Sequence, residues 1–472
     1  MYKLKSVLLY FLENIIGEYM NKYELMPTED NLKKTLFEDK LSRNKYLVYF
    51  YKLLSAQNES STIALDGRWG SGKTFFVRQS EMIVNACNPQ SSMEEDLRNT
   101  ILTKLGLLDN KQDFENCMIA VYYDAWINDN DTEPIFSLIY EITKQICVDF
   151  SVSENNIARS AASILSIISG YNFGEILKIL ESENPYEVFQ SQKNIETDIQ
   201  SFLVDLLAER GNRLIVFIDE LDRCKPSFAV HLLEQLKHYI SDERITFVFS
   251  VNLEQLQHTI KHYYGEGFDS CRYLDRFFDF RISIPSASKD GFYDDLGIYS
   301  QHYIESIIKN IVNLFNFELR EISKFYCQVK VSVLKPMINP SLIGAQTATG
   351  RGRYFILMYI VPLLIGLKIA NITEYDNFIS GKDSKPLVDL IMMDETLTLL
   401  ESFLNSNECL EVQSGGALID TNTLINRVYD AIFINQYTNS YSVKVGKYEF
   451  HKDSKVFAID TSSMMSTFVD YT

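Results

Sequence analysis

Apolar positions along the chain fall into two spacings. Five short runs are rich in consecutive apolar residues: Thr62–Leu65, Cys117–Tyr123, Leu214–Ile218, Ile245–Val251 and Phe278–Ile284. A run without polar alternation, such as Leu214-Ile215-Val216-Phe217-Ile218, suits a central parallel strand covered on both faces. Between these runs the apolar residues recur every three to four positions, predicting helices over 74–79, 133–150, 196–210, 226–240 and 253–264. Gly211 follows the third of them and supplies a helix stop. Strands alternating with helices predict a parallel α/β sheet of five strands.

The flanks read differently. Residues 1–45 have helical spacing and form an N-terminal helical segment, and 46–290 form the α/β core. Residues 85–210 contain an insertion that holds a polar stretch, 88–99, and a Ser- and Asn-rich stretch, 151–195, read as a helical excursion or loop. A helical lid is expected over 291–405. A small mixed segment follows over 406–472, with short strands near 442–450 and 455–459. The longest apolar run, Tyr354–Leu367, is broken by Pro362 and Gly366. It falls short of the roughly twenty residues that span a bilayer, so it reads as a buried helix. The N-terminal apolar run Ser6–Leu12 is soon followed by Glu13, which favours an amphipathic helix over a signal peptide. A cytoplasmic protein without membrane attachment is expected.

Composition narrows the function classes. Across 472 residues, Asp and Glu number 63 against 45 Lys and Arg, a net charge of −18. Such a surface is soluble, and nucleic acid is not the favoured partner. The 7 cysteines occur singly, as in a reducing compartment. His258 and His262 share a helical face but lack a third ligand, so they read as surface or capping residues rather than a zinc site.

One stretch carries chemistry. Gly67-Arg68-Trp69-Gly70-Ser71-Gly72-Lys73-Thr74 reads G-x-x-x-x-G-K-T between a strand and a helix, the phosphate-binding loop of P-loop NTPases. From average residue usage, a chance match in such a chain is on the order of one in a hundred. Glycine lets the backbone N–H groups wrap a triphosphate, and the following helix turns its positive end to the phosphates. Gly67, Trp69, Gly70, Ser71, Gly72, Lys73, Thr74 and Phe75 are the candidate nucleotide-binding residues. Lys73 reaches the β and γ phosphates, and the Thr74 hydroxyl ligates Mg²⁺.

The run ending in Asp219-Glu220-Leu221-Asp222-Arg223 places acids at the carboxyl end of a buried strand, where open α/β sheets bind ligands. Asp219 is the second candidate Mg²⁺ ligand, and Glu220 the candidate general base. Asp222 competes for that role. Two carboxylates capping the next helix would look alike. Asn252 ends the neighbouring strand, either orienting the attacking water or closing a turn. Arg272 and Arg276, before the fifth strand, and Arg320, in the helical region, are candidates for stabilising phosphoryl charge. Each also reads as a surface ion-pair partner. A P-loop alone would equally serve a kinase, but the acid beside Asp219 points to water activation.

These residues together resemble the KAP family of P-loop NTPases. Ile63 through Thr74, with its W-G-S-G-K-T core, is similar to that family's loop. Phe217 through Cys224 is similar to its acid-rich D-x-L-D-R-C segment, and Asp124-Ala125-Trp126 to its post-strand aromatic segment. The likeness covers roughly residues 36–335. It implies an additional-strand P-loop ATPase related to AAA+ and STAND proteins, with sheet order 5-1-4-3-2 and bound ATP and Mg²⁺. It further implies a switch or motor of bacterial phage defence, as a homo-oligomer or with a partner defence protein. A nucleotide-gated scaffold with little turnover is the alternative. Many members carry membrane helices between the two motifs, and this chain has no adequate apolar segment there. Relatives often end the fourth strand in Asp where this chain has Asn252.

Overall fold

The computed structural model describes residues 26–57, 59–108, 117–146, 185–239, 242–298, 303–334, 348–393, 421–434, 441–445 and 448–465. Expectations for 1–25, for 147–184 and for 394–420 lie outside the described residues. Chain contacts divide the protein into two compact units, which meet in sequence between Ser288 and Lys289.

The first unit, Met26–Ser288, is the α/β sandwich. Its elements in order are α1 Glu29–Glu38, α2 Asn44–Ser55, β1 Ser61–Asp66, α3 Lys73–Cys87, α4 Glu95–Leu105, β2 Met118–Asp124, α5 Pro134–Gln145, α6 Pro185–Arg210, β3 Arg213–Asp219, α7 Pro226–Tyr239, β4 Ile245–Val251, α8 Leu253–Tyr264, α9 Ser270–Phe277 and β5 Phe280–Ser283. The strands lie in the order β2-β3-β4-β1-β5 and pair in parallel. Read from the other edge this is 5-1-4-3-2, the order the family resemblance implies.

Side-chain alternation explains why the strands carry continuous apolar runs. On β3, Leu214, Val216 and Ile218 enter one core with the helices α5 to α8, whereas Ile215 and Phe217 enter the opposite core with α2 and α3. β1 divides likewise, with Ala64 on the first side and Ile63 and Leu65 on the other. Every residue of β4 is buried. With both faces covered, a central strand takes mainly apolar side chains, and Thr246 of β4 is buried among them.

The outer strand β2 has neighbours on one side only, and two carboxamides cover its free edge. Asn85 of α3 donates to Ala120 O at 2.9 Å and accepts from Ala120 N at 3.0 Å. Gln145 of α5 donates to Tyr122 O at 2.6 Å and accepts from Tyr122 N at 2.9 Å. Each amide side chain reproduces the donor–acceptor pair of a missing strand.

Several local expectations change. The polar stretch 88–99 runs into α4, whose buried face at the described positions is as small as Ile101 and Leu102. The fifth strand is shorter than its apolar run, because Phe278 is the C-cap of α9. In the second unit, 442–450 forms a hairpin of β6 Ser442–Val445 against β7 Tyr448–His451. Residues 455–459 lie in the helix Ser454–Ser462, not a strand. A four-residue apolar run, Val456–Ile459, fits a buried helix as well as a strand, and Ser454 Oγ takes the His451 N–H at 2.8 Å just where the helix begins.

Elsewhere the described part of the second unit is helical around a large apolar core. Gly350–Ala370 is long and apolar enough to cross a membrane, and 72% of its most apolar window is buried inside the protein. A polar coat of helices around such a segment is what a core helix requires.

Candidate functional site

The carboxyl ends of the strands converge because their registers are aligned. Asp124 of β2 pairs with Asp219 of β3, Asp219 with Ser250 of β4, and Asp66 of β1 with Val251 of β4. The loop leaving β1 therefore lies beside the acids that leave β3. Gly67 N donates to Val251 O at 3.1 Å, tying the loop to β4. A Cβ on Gly67 would stand 2.5 Å from Ile284 Cγ2 and 3.0 Å from Ser71 Oγ, so no other residue fits without displacement. Gly70 and Gly72 have φ of 85° and 84°, left-handed values that favour glycine and turn successive N–H groups to one side.

Lys73 opens α3. Its ammonium donates to Gly67 O at 2.7 Å and Arg68 O at 3.3 Å, so it closes the loop on itself. Burial pulls its pKa down, while Asp222, Asp219 and Glu220 oppose that pull. Asp219 is wholly buried at the end of β3. It accepts from Tyr122 Oη at 3.1 Å and from its neighbour Glu220 N at 3.0 Å. Burial raises its pKa; hydroxyl contacts from Thr74 and Tyr122 and the Lys73 charge work the other way. Thr74 and Asp219 thus share one corner.

Glu220 has φ of 61°, a left-handed value that is costly for a side chain with a Cβ. Burial, together with the Asp219 charge, raises its pKa to about 7, against the opposing pull of Arg223. That value places a carboxylate near the pH at which a general base works best. Arg223 Nε lies 2.5 Å from Glu220 Oε2. Asp222 is buried, and its Oδ2 accepts from Trp69 Nε1 at 2.6 Å, a bond that joins the loop to the acidic turn across 153 residues of sequence. Burial raises its pKa too, opposed by Lys73 and by the Trp69 bond.

The remaining candidates separate. Asn252 is the N-cap of α8, and its Oδ1 accepts from Gln255 N at 3.3 Å, the turn-closing use of such a residue. Asp66 assists there, accepting from Leu253 N at 2.9 Å. Phe75 is buried in the first turn of α3. Arg272 and Arg276 of α9 line an open groove of about 570 Å³ with Lys237, Phe268, Tyr273 and Phe277, and no loop residue lines it. Arg320 belongs to the helix Leu319–Val329 of the second unit.

One residue of the site has no motif to announce it. Arg43, just before α2, is buried, and its guanidinium donates to Pro285 O at 2.9 and 2.5 Å, Ser71 O at 2.9 Å and Gly72 O at 3.4 Å. In a trans peptide the C=O and the next N–H point in opposite directions. By drawing the Ser71 carbonyl outward, Arg43 turns the Gly72 N–H inward, toward the hollow of the loop; the Gly72 carbonyl is held chiefly by Phe76 N at 3.2 Å, the first bond of α3.

The hollow fits an anionic nucleotide. Ser71 Oγ is buried without a hydrogen-bond partner among the described residues, and its hydroxyl can donate to a phosphate oxygen. The Lys73 ammonium rests on the loop's own carbonyls, positions that a phosphate oxygen would outcompete. No group of three or more His, Cys, Asp and Glu among the described residues would hold a metal alone. Mg²⁺ beside a triphosphate takes only one or two protein ligands, which Thr74 and Asp219 would supply.

A family model described as the KAP family P-loop domain matches residues 43–325. The match begins at Arg43. No curated protein matches the chain. Among solved structures, that of the Aeropyrum pernix ORC2 protein (ADPNP-ADP complexes) aligns over 84% of this chain and 93% of its own at 12% identity, with a TM-score of 0.30. A likeness of that size carries no weight here.

Proposed function

The chain belongs to the KAP family of P-loop domains, and from that premise we propose that it is a Mg²⁺-dependent ATPase that works as a switch or motor. The observation that carries this reading is the closure of the loop onto the acidic turn: Trp69 bonds Asp222, and Lys73 lies among Asp219, Glu220 and Asp222. The loop N–H groups and Lys73 take the β and γ phosphates. Thr74 and Asp219 would hold Mg²⁺, which would supply neutralisation of the phosphoryl charge.

Glu220 accepts a proton from the attacking water. The water oxygen bonds to the γ phosphorus as the β–γ bridging bond breaks, and its electron pair leaves with ADP. Asp222, one of whose oxygens accepts from Trp69, is the alternative base. Arg272 or Arg276, presented in an open groove, supplies charge to the site of a neighbouring copy. A role in antiviral defence, with a second copy or a partner defence protein, rests on the family likeness alone.

The test is phosphate release with and without Mg²⁺. Wild type should release phosphate. Lys73→Ala should lose nucleotide binding, and Glu220→Gln should bind ATP yet turn over at least a hundredfold more slowly, as befits loss of a general base. A Glu220→Gln enzyme with wild-type turnover would remove Glu220 from the mechanism. A second reading, a nucleotide-gated scaffold with little turnover, is favoured by the ion pair that Glu220 already makes with Arg223.

A further inference from the structure

Both tryptophans of the chain face a single arginine. The Arg223 guanidinium lies 5.7 Å from the Trp69 ring and 5.6 Å from the Trp126 ring, and the chain contains 2 tryptophans in all. The rings come from different elements: Trp69 from the phosphate loop, Trp126 from the turn after β2. Neither is there to fill a core, since they are 45% and 52% exposed. A guanidinium stacks on aromatic faces while its N–H groups bind in its own plane, so Arg223 can be gripped by two indoles and still hold a carboxylate. The carboxylate it holds is Glu220, at 2.5 Å through Nε.

The backbone reinforces this pairing. Glu220 O accepts from Arg223 N at 3.0 Å and from Cys224 Sγ at 3.6 Å, which winds Leu221–Arg223 into a single 3₁₀ turn. That turn keeps Glu220 in its left-handed conformation, a state with a free-energy cost that the ion pair offsets. A carboxylate oxygen held by a guanidinium is turned to that partner and is not free to accept a hydrogen bond from water. Release of Glu220 requires this ion pair to break, and the two indoles favour the Arg223 position in which it is made. Trp69 is the indole with reason to move: it sits in the loop that must accommodate the phosphates, and its N–H is bonded to buried Asp222.

Resting on the ATPase reading above, we infer that Arg223 is a positioning residue that withholds Glu220 from the attacking water, with Trp69 and Trp126 as its clamp. Filling of the phosphate loop displaces Trp69, loosens the clamp and frees the base. The device makes turnover depend on loop occupancy and on whatever covers the exposed faces of the two indoles.

The experiment compares wild type, Arg223→Gln, Arg223→Lys and the Glu220→Gln, Arg223→Gln double variant on the full chain. Nucleotide affinity is measured with a nonhydrolysable ATP analogue, and turnover by phosphate release. Arg223→Gln should raise kcat about tenfold, the decade that one charge-assisted contact is worth, with KM and analogue affinity within twofold of wild type. Arg223→Lys, charged but without a planar face for the indoles, should fall between. The double variant should be inactive, which shows that the gain runs through Glu220. Equal or reduced turnover in Arg223→Gln, with intact analogue affinity and an unchanged melting temperature, overturns the inference. So does analogue binding with no turnover in any variant. Failure of wild type to bind the analogue would instead sink the nucleotide-site reading on which the inference stands.

Discussion

Replacement of Arg43 by Met is the sharpest probe of how the loop is held. Met keeps the length and apolar stem of the side chain and removes the guanidinium. Two bonds to Pro285 O and one to Ser71 O lie between 2.5 and 2.9 Å; the fourth, to Gly72 O at 3.4 Å, is weak. The two strongly held carbonyls would lose a charged donor in a buried place, at about 1–3 kcal/mol each. Relief of burying the charge offsets part of this. The net loss should be about 3 kcal/mol, or roughly 10 °C in Tm for a unit of this size.

The more telling consequence is chemical. With its carbonyl unheld, the Ser71–Gly72 peptide can rotate, and the Gly72 N–H no longer points steadily at the phosphates; Gly72 O keeps its bond from Phe76 N at 3.2 Å. Affinity for a nonhydrolysable ATP analogue should fall about tenfold, the equivalent of one such donor. Titration calorimetry reads the affinity and differential scanning fluorimetry the stability. Unchanged affinity in a destabilised Arg43→Met protein would refute the peptide-orienting role and leave Arg43 a purely structural strut. If both were unchanged, the hydrogen-bond reading would fall entirely.

Other outcomes follow from single contacts. Gly72→Ala forces a side chain onto a φ of 84° and should cost about 1–2 kcal/mol in chemical denaturation while weakening analogue binding; a neutral result would mean the loop is not held in that conformation. Trp69→Phe leaves Asp222 with neither oxygen paired by a side chain and should cost about 1–3 kcal/mol, again by denaturation. Glu81, on α3 and 3.0 Å from Arg78, has its pKa raised to about 7 by burial. Its folded value exceeds the unfolded one, so the folded state binds the extra proton between roughly pH 4.5 and 7, and stability should fall as pH rises through that window, by at most roughly 3 kcal/mol. Glu81→Gln should flatten that slope in pH-dependent melting. Gln145→Leu unpairs Tyr122 N, whose amide should then exchange with deuterium markedly faster than in wild type.

The strands were legible because both faces of the sheet are buried, which leaves an unbroken apolar word such as Leu214–Ile218. Gly67–Thr74 was legible for a different reason. The phosphate loop is local in sequence, so its glycines and Lys73 sit side by side in the text as in space. What stayed hidden was nonlocal or ambiguous. Arg43 acts on a carbonyl 242 residues away, and nothing around it marks it as more than one charge at the start of a helix. The Trp69–Asp222 bond and the grip of two indoles on Arg223 are equally invisible, though each partner lies in a motif. The helix at Ser454–Ser462 was mistaken for a strand because its apolar stretch is too short for period to decide. Helix α4 was missed because so little of it is buried.

The carboxamides of Asn85 and Gln145 close one edge of the sheet. An outer strand with open N–H and C=O groups is a template on which another chain can nucleate, and stacking by that route has no natural end. Ala120 and Tyr122 offer no such vacancy, because their outward groups are already answered within the same chain. The opposite edge, β5, is only four residues long, so it offers a short template at most. Two neutral amides thereby remove the longer of the two edges as a template, without contributing a single charge to the chemistry beside them.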